Sequence, residues 1–137
     1  MIMTQNDKDL KELLLKDLCA RLPYGVKVSC YDLDEEILKC DTLEGVERSF
    51  VTVDGFQREI TDIKPYLFPL SSMTDEQKEE MVNKGIAYYQ VFDGIGRRFF
   101  FKEGYELYDW LNKNHFDYRG LIEKSLAIDA TNLEIYK

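Results

Sequence analysis

Several things are scarce in this sequence, and each scarcity closes off a class of protein. No apolar run approaches the ~18 residues of a membrane span; Leu13-Leu14-Leu15 and Phe99-Phe100-Phe101 are far too short. The first residues, Met1-Ile2-Met3-Thr4-Gln5-Asn6-Asp7-Lys8-Asp9, carry no basic stretch, apolar core or small-residue cleavage site. The expectation is therefore a cytoplasmic protein without a membrane association. There is one histidine, His115, and there are three cysteines, Cys19, Cys30 and Cys40, spaced 11 and 10 apart. That spacing matches no common zinc or redox motif, so neither a metal nor another cofactor is expected. The cysteines read as small apolar side chains. Positive charge is also short: 18 Lys and Arg stand against 26 Asp and Glu, a formal net charge of −8. Overall attraction to nucleic acid or anionic lipid is weak at that balance, so a nucleic-acid partner is not expected. Missing too are a Walker A loop, Gly-x-Gly-x-x-Gly, Gly-x-Ser-x-Gly and His-Glu-x-x-His, which leaves no enzyme class indicated.

What is present is a globular pattern. Hydrophobic residues make up 45% of the 137 residues and aromatics 13%, which argues against disorder despite the charge. A chain of this length needs no disulfide to bury a core. It reads as a single compact domain, 1–137, with two lobes, 1–70 and 71–137, sharing a core as the variant. Leu10, Leu13, Leu14 and Leu18 recur at helical steps, with Lys11, Glu12, Lys16 and Asp17 assigned to the opposite side. Thr4 and Asp7 have capping-box spacing, and Pro23 and Gly25 end the helix.

Beyond Gly25 the period changes to two. Val26, Val28 and Cys30 alternate with polar neighbours, and a second short strand is expected near Ile37 to Cys40. Phe50-Val51-Thr52-Val53 and Phe56 to Ile60 flank Asp54-Gly55, the favoured chemistry of a two-residue type I′ turn. That turn sets Val53 opposite Phe56 and Val51 opposite Arg58. A helix followed by several short strands predicts a small antiparallel sheet or an SH3-like barrel. Pro65 and Pro69 place Tyr66-Leu67-Phe68 outside it, as a packed crossover.

In the second half, Thr74 and Gln77 form another capping box, and Gly85 stops that helix. Ile86 to Phe92 and Arg97 to Phe101 predict a hairpin around Asp93-Gly94-Ile95-Gly96, with apolar groups on both faces and so cover on both. Helices are expected over Tyr105 to Asn114 and Tyr118 to Asp129. The fold class is thus α+β: an N-terminal helix, a small antiparallel sheet or SH3-like barrel, then a β-hairpin packed with C-terminal helices.

Candidate functional residues fall in three places. Asp32, Asp34, Glu35 and Glu36 resemble a cation loop in composition only. The glycine and glutamate that an EF-hand requires are replaced by Ile37 and Leu43, so a solvated acidic loop is the simpler account. Arg97, Arg98, Phe100 and Lys102, with Tyr88 and Tyr89 across the hairpin, combine cations with rings and suit an anionic, nucleotide-like small molecule. In a strand, Arg98, Phe100 and Lys102 share one side and Arg97, Phe99 and Phe101 the other. His115, Asp117 and Arg119 form a further candidate surface: His115 for acid–base or nucleophilic work in a small hydrolase, Arg119 as a carboxylate or phosphate fork. Their structural alternative is equally concrete: His115 ends one helix, Asp117 caps the next, and Arg119 pairs with a nearby acid.

Three blocks stand out together: Leu22-Pro-Tyr-Gly-Val-Lys-Val28, Ile63-Lys-Pro-Tyr-Leu-Phe-Pro-Leu-Ser-Ser-Met73 and Asp109-Trp-Leu-Asn-Lys-Asn-His-Phe-Asp-Tyr-Arg-Gly-Leu-Ile122. They cover about a quarter of the chain. Their combination resembles a family of small uncharacterised proteins encoded by gut Bacteroidetes and their phages or other mobile elements. The resemblance implies a setting and transfers no catalytic residue. With it, the expectation is a non-enzymatic binding or assembly protein, a host-interaction factor or accessory component, acting on a protein partner or on a second copy of itself. The alternative is a small-molecule or nucleotide-sequestering protein built on the basic-aromatic hairpin.

Overall fold

The computed structural model describes residues 4–32, 37–94 and 96–136. Most of the acidic run, Leu33 to Glu36, lies outside the described residues. Helix α1 (Gln5–Arg21) opens on the expected capping box, with the Thr4 hydroxyl accepting from Asp7 N and the Asp7 carboxylate accepting from Thr4 N. A 3₁₀ turn, Leu22–Tyr24, and the left-handed Gly25 (φ 68°) lead out of it. Next come β1 (Lys27–Asp32), β2 (Ile37–Val46), β3 (Phe50–Val53), β4 (Phe56–Glu59) and β5 (Lys64–Pro69). The second half holds α2 (Asp75–Asn83), β6 (Ala87–Phe92), β7 (Gly96–Phe101), α3 (Tyr105–Lys113), β8 (Phe116–Asp117) and β9 (Ile128–Asp129).

The chain is α+β, as its pattern indicates, with one mixed seven-stranded sheet in the order β4-β3-β2-β1-β5-β8, and β9 also paired to β5. Strands β1 to β5 pair antiparallel, while β8 and β9 join β5 in parallel. The sheet is open: among the described residues β4 pairs only with β3, the path ends at β8, and no barrel forms. The β3–β4 hairpin has the register set by its turn, Val53 opposite Phe56 and Val51 opposite Arg58. Asp54 (φ 51°) and Gly55 (φ 78°) both take the left-handed conformation that a type I′ turn demands. Val51 and Val53 are buried, whereas Phe56, beside the turn, projects past the core and stays 64% exposed.

Three expectations are corrected. First, Tyr66-Leu67-Phe68 is not a crossover; it is the middle of β5, which receives pairing on both sides. The prolines sit near its ends, so the intervening backbone groups remain available: Phe68 N donates to His115 O (2.8 Å) and Leu67 O accepts from Ala130 N (2.8 Å). Second, no helix spans Tyr118 to Asp129. Gly120 (φ 74°) and Ser125 (φ 61°) are left-handed, and the Asp117 carboxylate takes the N–H groups of Leu121 (3.0 Å) and Ile122 (2.9 Å) into a tight turn. Leu121 and Ala127 are buried without being helical. Third, Asp17 does not lie on a solvated face; it is fully buried.

Apolar side chains gather in two clusters. In one, Leu14 and Leu18 of α1 pack on Val26, Val28, Val53 and Leu67, with Leu121 closing it. In the other, Met81 of α2, Leu107 and Trp110 of α3, and Phe116 of β8 pack together under Ala87. Strand β5 serves both: Leu67 belongs to the first and Phe68 packs on the second. Replacing Gly55 with alanine forces a Cβ into a left-handed position with no neighbour within 4 Å to compensate. Gly55→Ala is expected to lower stability by ~1 kcal/mol in urea unfolding. Gly45→Ala, whose Cβ would meet Thr52 at an ordinary 3.7 Å, is expected to cost less than half of that.

Candidate functional site

Among the described residues the β6–β7 hairpin pairs only with itself, outside the main sheet. Its register sets Tyr88 opposite Phe100, Tyr89 opposite Phe99, Gln90 opposite Arg98 and Val91 opposite Arg97. Side chains alternate, so the two faces differ. Ala87, Phe99 and Phe101 turn inward onto the cluster of α2 and α3. Tyr88, Gln90, Phe92, Arg98 and Phe100 form the outer face, and Lys102 continues its register, with its backbone N–H on Ile86 O (2.9 Å).

The expected cover on both faces is therefore found on one only. Tyr88 is 41% exposed, Phe92 and Phe100 are half-buried, and none of the three belongs to either apolar cluster. The outer rings bury one another instead: Tyr88 stacks on Phe100 with centroids 5.5 Å apart, Phe92 meets Phe100 at 6.4 Å, and the Arg98 guanidinium lies 5.5 Å above Phe92. From Ala87 to Lys102, three cations stand against one carboxylate, Asp93. The patch opposes the sign of the chain as a whole.

The six residues predicted here are thus split. Tyr88, Arg98, Phe100 and Lys102 share the outer face. Tyr89 and Arg97 lie on the other, at its margin, with the Arg97 guanidinium 3.9 Å from the Tyr89 ring centroid and 4.0 Å from the Glu79 carboxylate. Phe92 and Gln90 complete the outer face and were not among the residues predicted. The period-two alternation that grouped Arg98, Phe100 and Lys102 also contains them, once β6 is set in register with β7.

His115, Asp117 and Arg119 are brought close, but to structural partners. The Asp17 carboxylate receives Arg21 Nε on one oxygen and Arg119 Nη1 on the other, both at 2.8 Å. Arg21 Nη2 donates to Phe116 O at 2.6 Å. Tyr118 lies beside both guanidiniums, 5.4 Å from that of Arg21 and 4.6 Å from that of Arg119, and its hydroxyl donates to Asn112 Oδ1 (2.9 Å). Asp117 caps a turn rather than a helix. His115 takes the left-handed conformation (φ 63°) just after α3, and its ring stacks on Tyr136 at 3.8 Å. The Tyr136 hydroxyl accepts from Lys27 N (2.9 Å) and donates to Tyr66 O (2.6 Å), pegging the C-terminal segment onto the sheet.

Burial, reinforced by the charges of Arg21 and Lys27, pushes the His115 imidazole down to about 4. It is neutral at physiological pH, and its Nδ1 has no hydrogen-bond partner among the described residues. No group of three metal-ligating side chains occurs among the described residues. The cysteines are free, and only Cys30 is buried; Cys19 and Cys40 are exposed, contrary to the apolar role expected of all three. Asp17, Arg21 and Tyr136 were missed. An Asp and an Arg four apart on one helix were the available signal for the first two.

No protein-family model, curated protein or solved structure matches the chain.

Two outcomes follow from the buried groups. Asp17→Asn leaves two guanidiniums, one fully buried, without a counter-charge, and a loss of roughly 3–5 kcal/mol is expected in urea unfolding. The histidine gives a pH signature. In the unfolded chain it titrates near ~6.5 and in the fold at about 4, so the unfolded state binds the extra proton between those values. Stability is expected to fall as pH drops through that window, by about 3 kcal/mol in all. His115→Asn, which tolerates the left-handed backbone and does not titrate, should flatten that slope in unfolding midpoints measured from neutral pH downward.

Proposed function

We propose that the chain is a non-enzymatic binding or assembly protein of phage or mobile-element origin, a host-interaction factor or accessory component, and that it engages a protein partner through the outer face of β6–β7. The observation that carries this is the uncovered aromatic face itself. Tyr88, Phe92 and Phe100 form a contiguous ring-rich patch, rimmed by Arg98 and Lys102, on a hairpin whose other face is held to the core through Ala87, Phe99 and Phe101. Aromatic residues and arginine are the side chains enriched in protein interfaces, and contiguous exposed apolar patches mark such sites. The block resemblance supports the biological setting.

The geometry favours a protein over a nucleotide. Tyr88 and Phe100 stack on each other and Arg98 lies over Phe92, so the rings present one joined apolar area rather than a slot between two separated rings into which a base would insert. The two clefts beside it, one on α2 and one lined by Gly85, Ile86 and Lys102 to Leu107, take in none of its rings. The cations select a partner surface with carboxylates around an apolar centre.

The test compares wild type with Arg98→Glu and Phe100→Ser, using Glu123→Lys as a control outside the hairpin. Each is used to capture partners from host lysate, and the captured protein is then titrated as a pure component. The expected result is a weakening of at least tenfold for both hairpin variants, with affinity falling as salt rises, and no change for the control. A partner whose affinity ignores both hairpin variants would overturn the proposal. So would a nucleotide panel that raises the melting temperature of wild type but not of Arg98→Glu, which would establish the sequestering alternative. Light scattering distinguishes a second copy of the chain as the partner.

A further inference from the structure

A separate cleft lies between the N-terminal half of α1 and the segment entering β5. It offers about 240 Å³, is open to solvent along one side, and has Leu10 and Leu14 of α1, Ile63 and Leu126 as its apolar lining. Leu14 and Ile63 are buried, but Leu10 and Leu126 are only half covered. The leucine stripe of α1 runs one turn further toward the N-terminus than the core that it packs against, so Leu10 overlooks the cleft rather than filling it. At the rim stand Lys11 and Lys64, with Asp7 and Thr61. The Asp7 carboxylate is engaged in the cap of α1, accepting from Thr4 N. Among the described residues neither lysine is in an ion pair. In a chain of net charge −8, the lining of this apolar space carries two cations against the single carboxylate of Asp7 and is therefore locally positive.

We propose that the cleft binds the alkyl chain of a medium-length aliphatic carboxylate, with its head group held by Lys11 and Lys64. Size sets the class. At roughly 30 Å³ per water-sized group, the space holds about eight such groups, the length of an octanoate chain. Two acyl tails of a phospholipid do not fit. Four of the eight lining side chains, Leu10, Leu14, Ile63 and Leu126, are apolar and would meet the chain, while Lys11 and Lys64 would meet the head group.

The full chain is titrated calorimetrically with hexanoate, octanoate and dodecanoate, and with octylamine and octanol as head-group controls. Affinity is expected to rise about fourfold per methylene up to octanoate and to level off beyond it. Octylamine should bind at least tenfold more weakly than octanoate. Lys64→Glu, an exposed substitution that leaves the fold intact, should weaken octanoate at least tenfold, and Leu10→Trp, which fills the cleft, should abolish binding while circular dichroism stays unchanged. Methyl resonances of Leu10, Ile63 and Leu126 should shift on saturation. Absence of octanoate binding, equal affinity for octylamine, insensitivity to Leu10→Trp, or binding only to phospholipid vesicles would each overturn the proposal. Arg98→Glu is expected to leave octanoate affinity unchanged, which separates this site from the hairpin.

Discussion

A single carboxylate, that of Asp17, holds two guanidiniums that arrive from opposite ends of the chain. Arg21 reaches it from the next turn of the same helix and Arg119 from the turn after β8. Arg21 then extends to the carbonyl of Phe116, so helix α1 is tied to the last parallel strand of the sheet. Burying these charges is costly, and apolar residues would have supplied cohesion more cheaply. What the ions add is direction. Each donor requires an acceptor at one place, so α1 is set against β8 in one register, with Tyr118 filling the space between the two arginines. Everything that depends on the C-terminal segment, including the Tyr136 peg on β1 and β5, rests on that placement.

The same region collects the three sequence blocks that stand out along the chain. Tyr24, from the first, hydrogen-bonds Asp109, from the third. Pro65, from the second, pairs with Val28 of the first, and Phe68 meets both the carbonyl of His115 and the ring of Phe116. Segments far apart in sequence are thus joined around β5. Tyr24, Val28, Pro65, Phe68, Asp109 and Phe116 each meet a residue of another block.

The hairpin β6–β7 works on a different principle. Its inner face is fastened by Phe99 and Phe101 to the α2–α3 cluster, and its outer face is left with rings packed only on one another. A two-stranded hairpin alone is marginal in water, so the inner face anchors it and the outer face is free to be chosen for recognition. Proposed protein binding and proposed carboxylate binding therefore use separate surfaces, and both carry positive charge against an acidic background.

Local chemistry determined much of this. Thr4 with Asp7, Thr74 with Gln77, and Asp54-Gly55 each act within a few residues, and each produced the cap or turn that its side chains can make unaided. Apolar spacing likewise marked Leu14, Leu18, Val51 and Val53 for burial. Tertiary structure decided the rest. Leu121 and Ala127 carry an apolar pattern that suits a helix or a buried turn equally, and the Asp117 carboxylate resolved it toward the turn. Pro65 and Pro69 entered a paired strand because β5 needs few donors near its ends, which shows only when β1, β8 and β9 are in place. Asp17 reads as solvated until Arg119 arrives from 102 positions away. Which face of the hairpin stays open was equally beyond sequence, because both carry aromatics and only the packing of α2 and α3 distinguishes them. Charge pairs and sheet faces are chosen by neighbours distant along the chain, whereas caps and turns are chosen by neighbours adjacent in it.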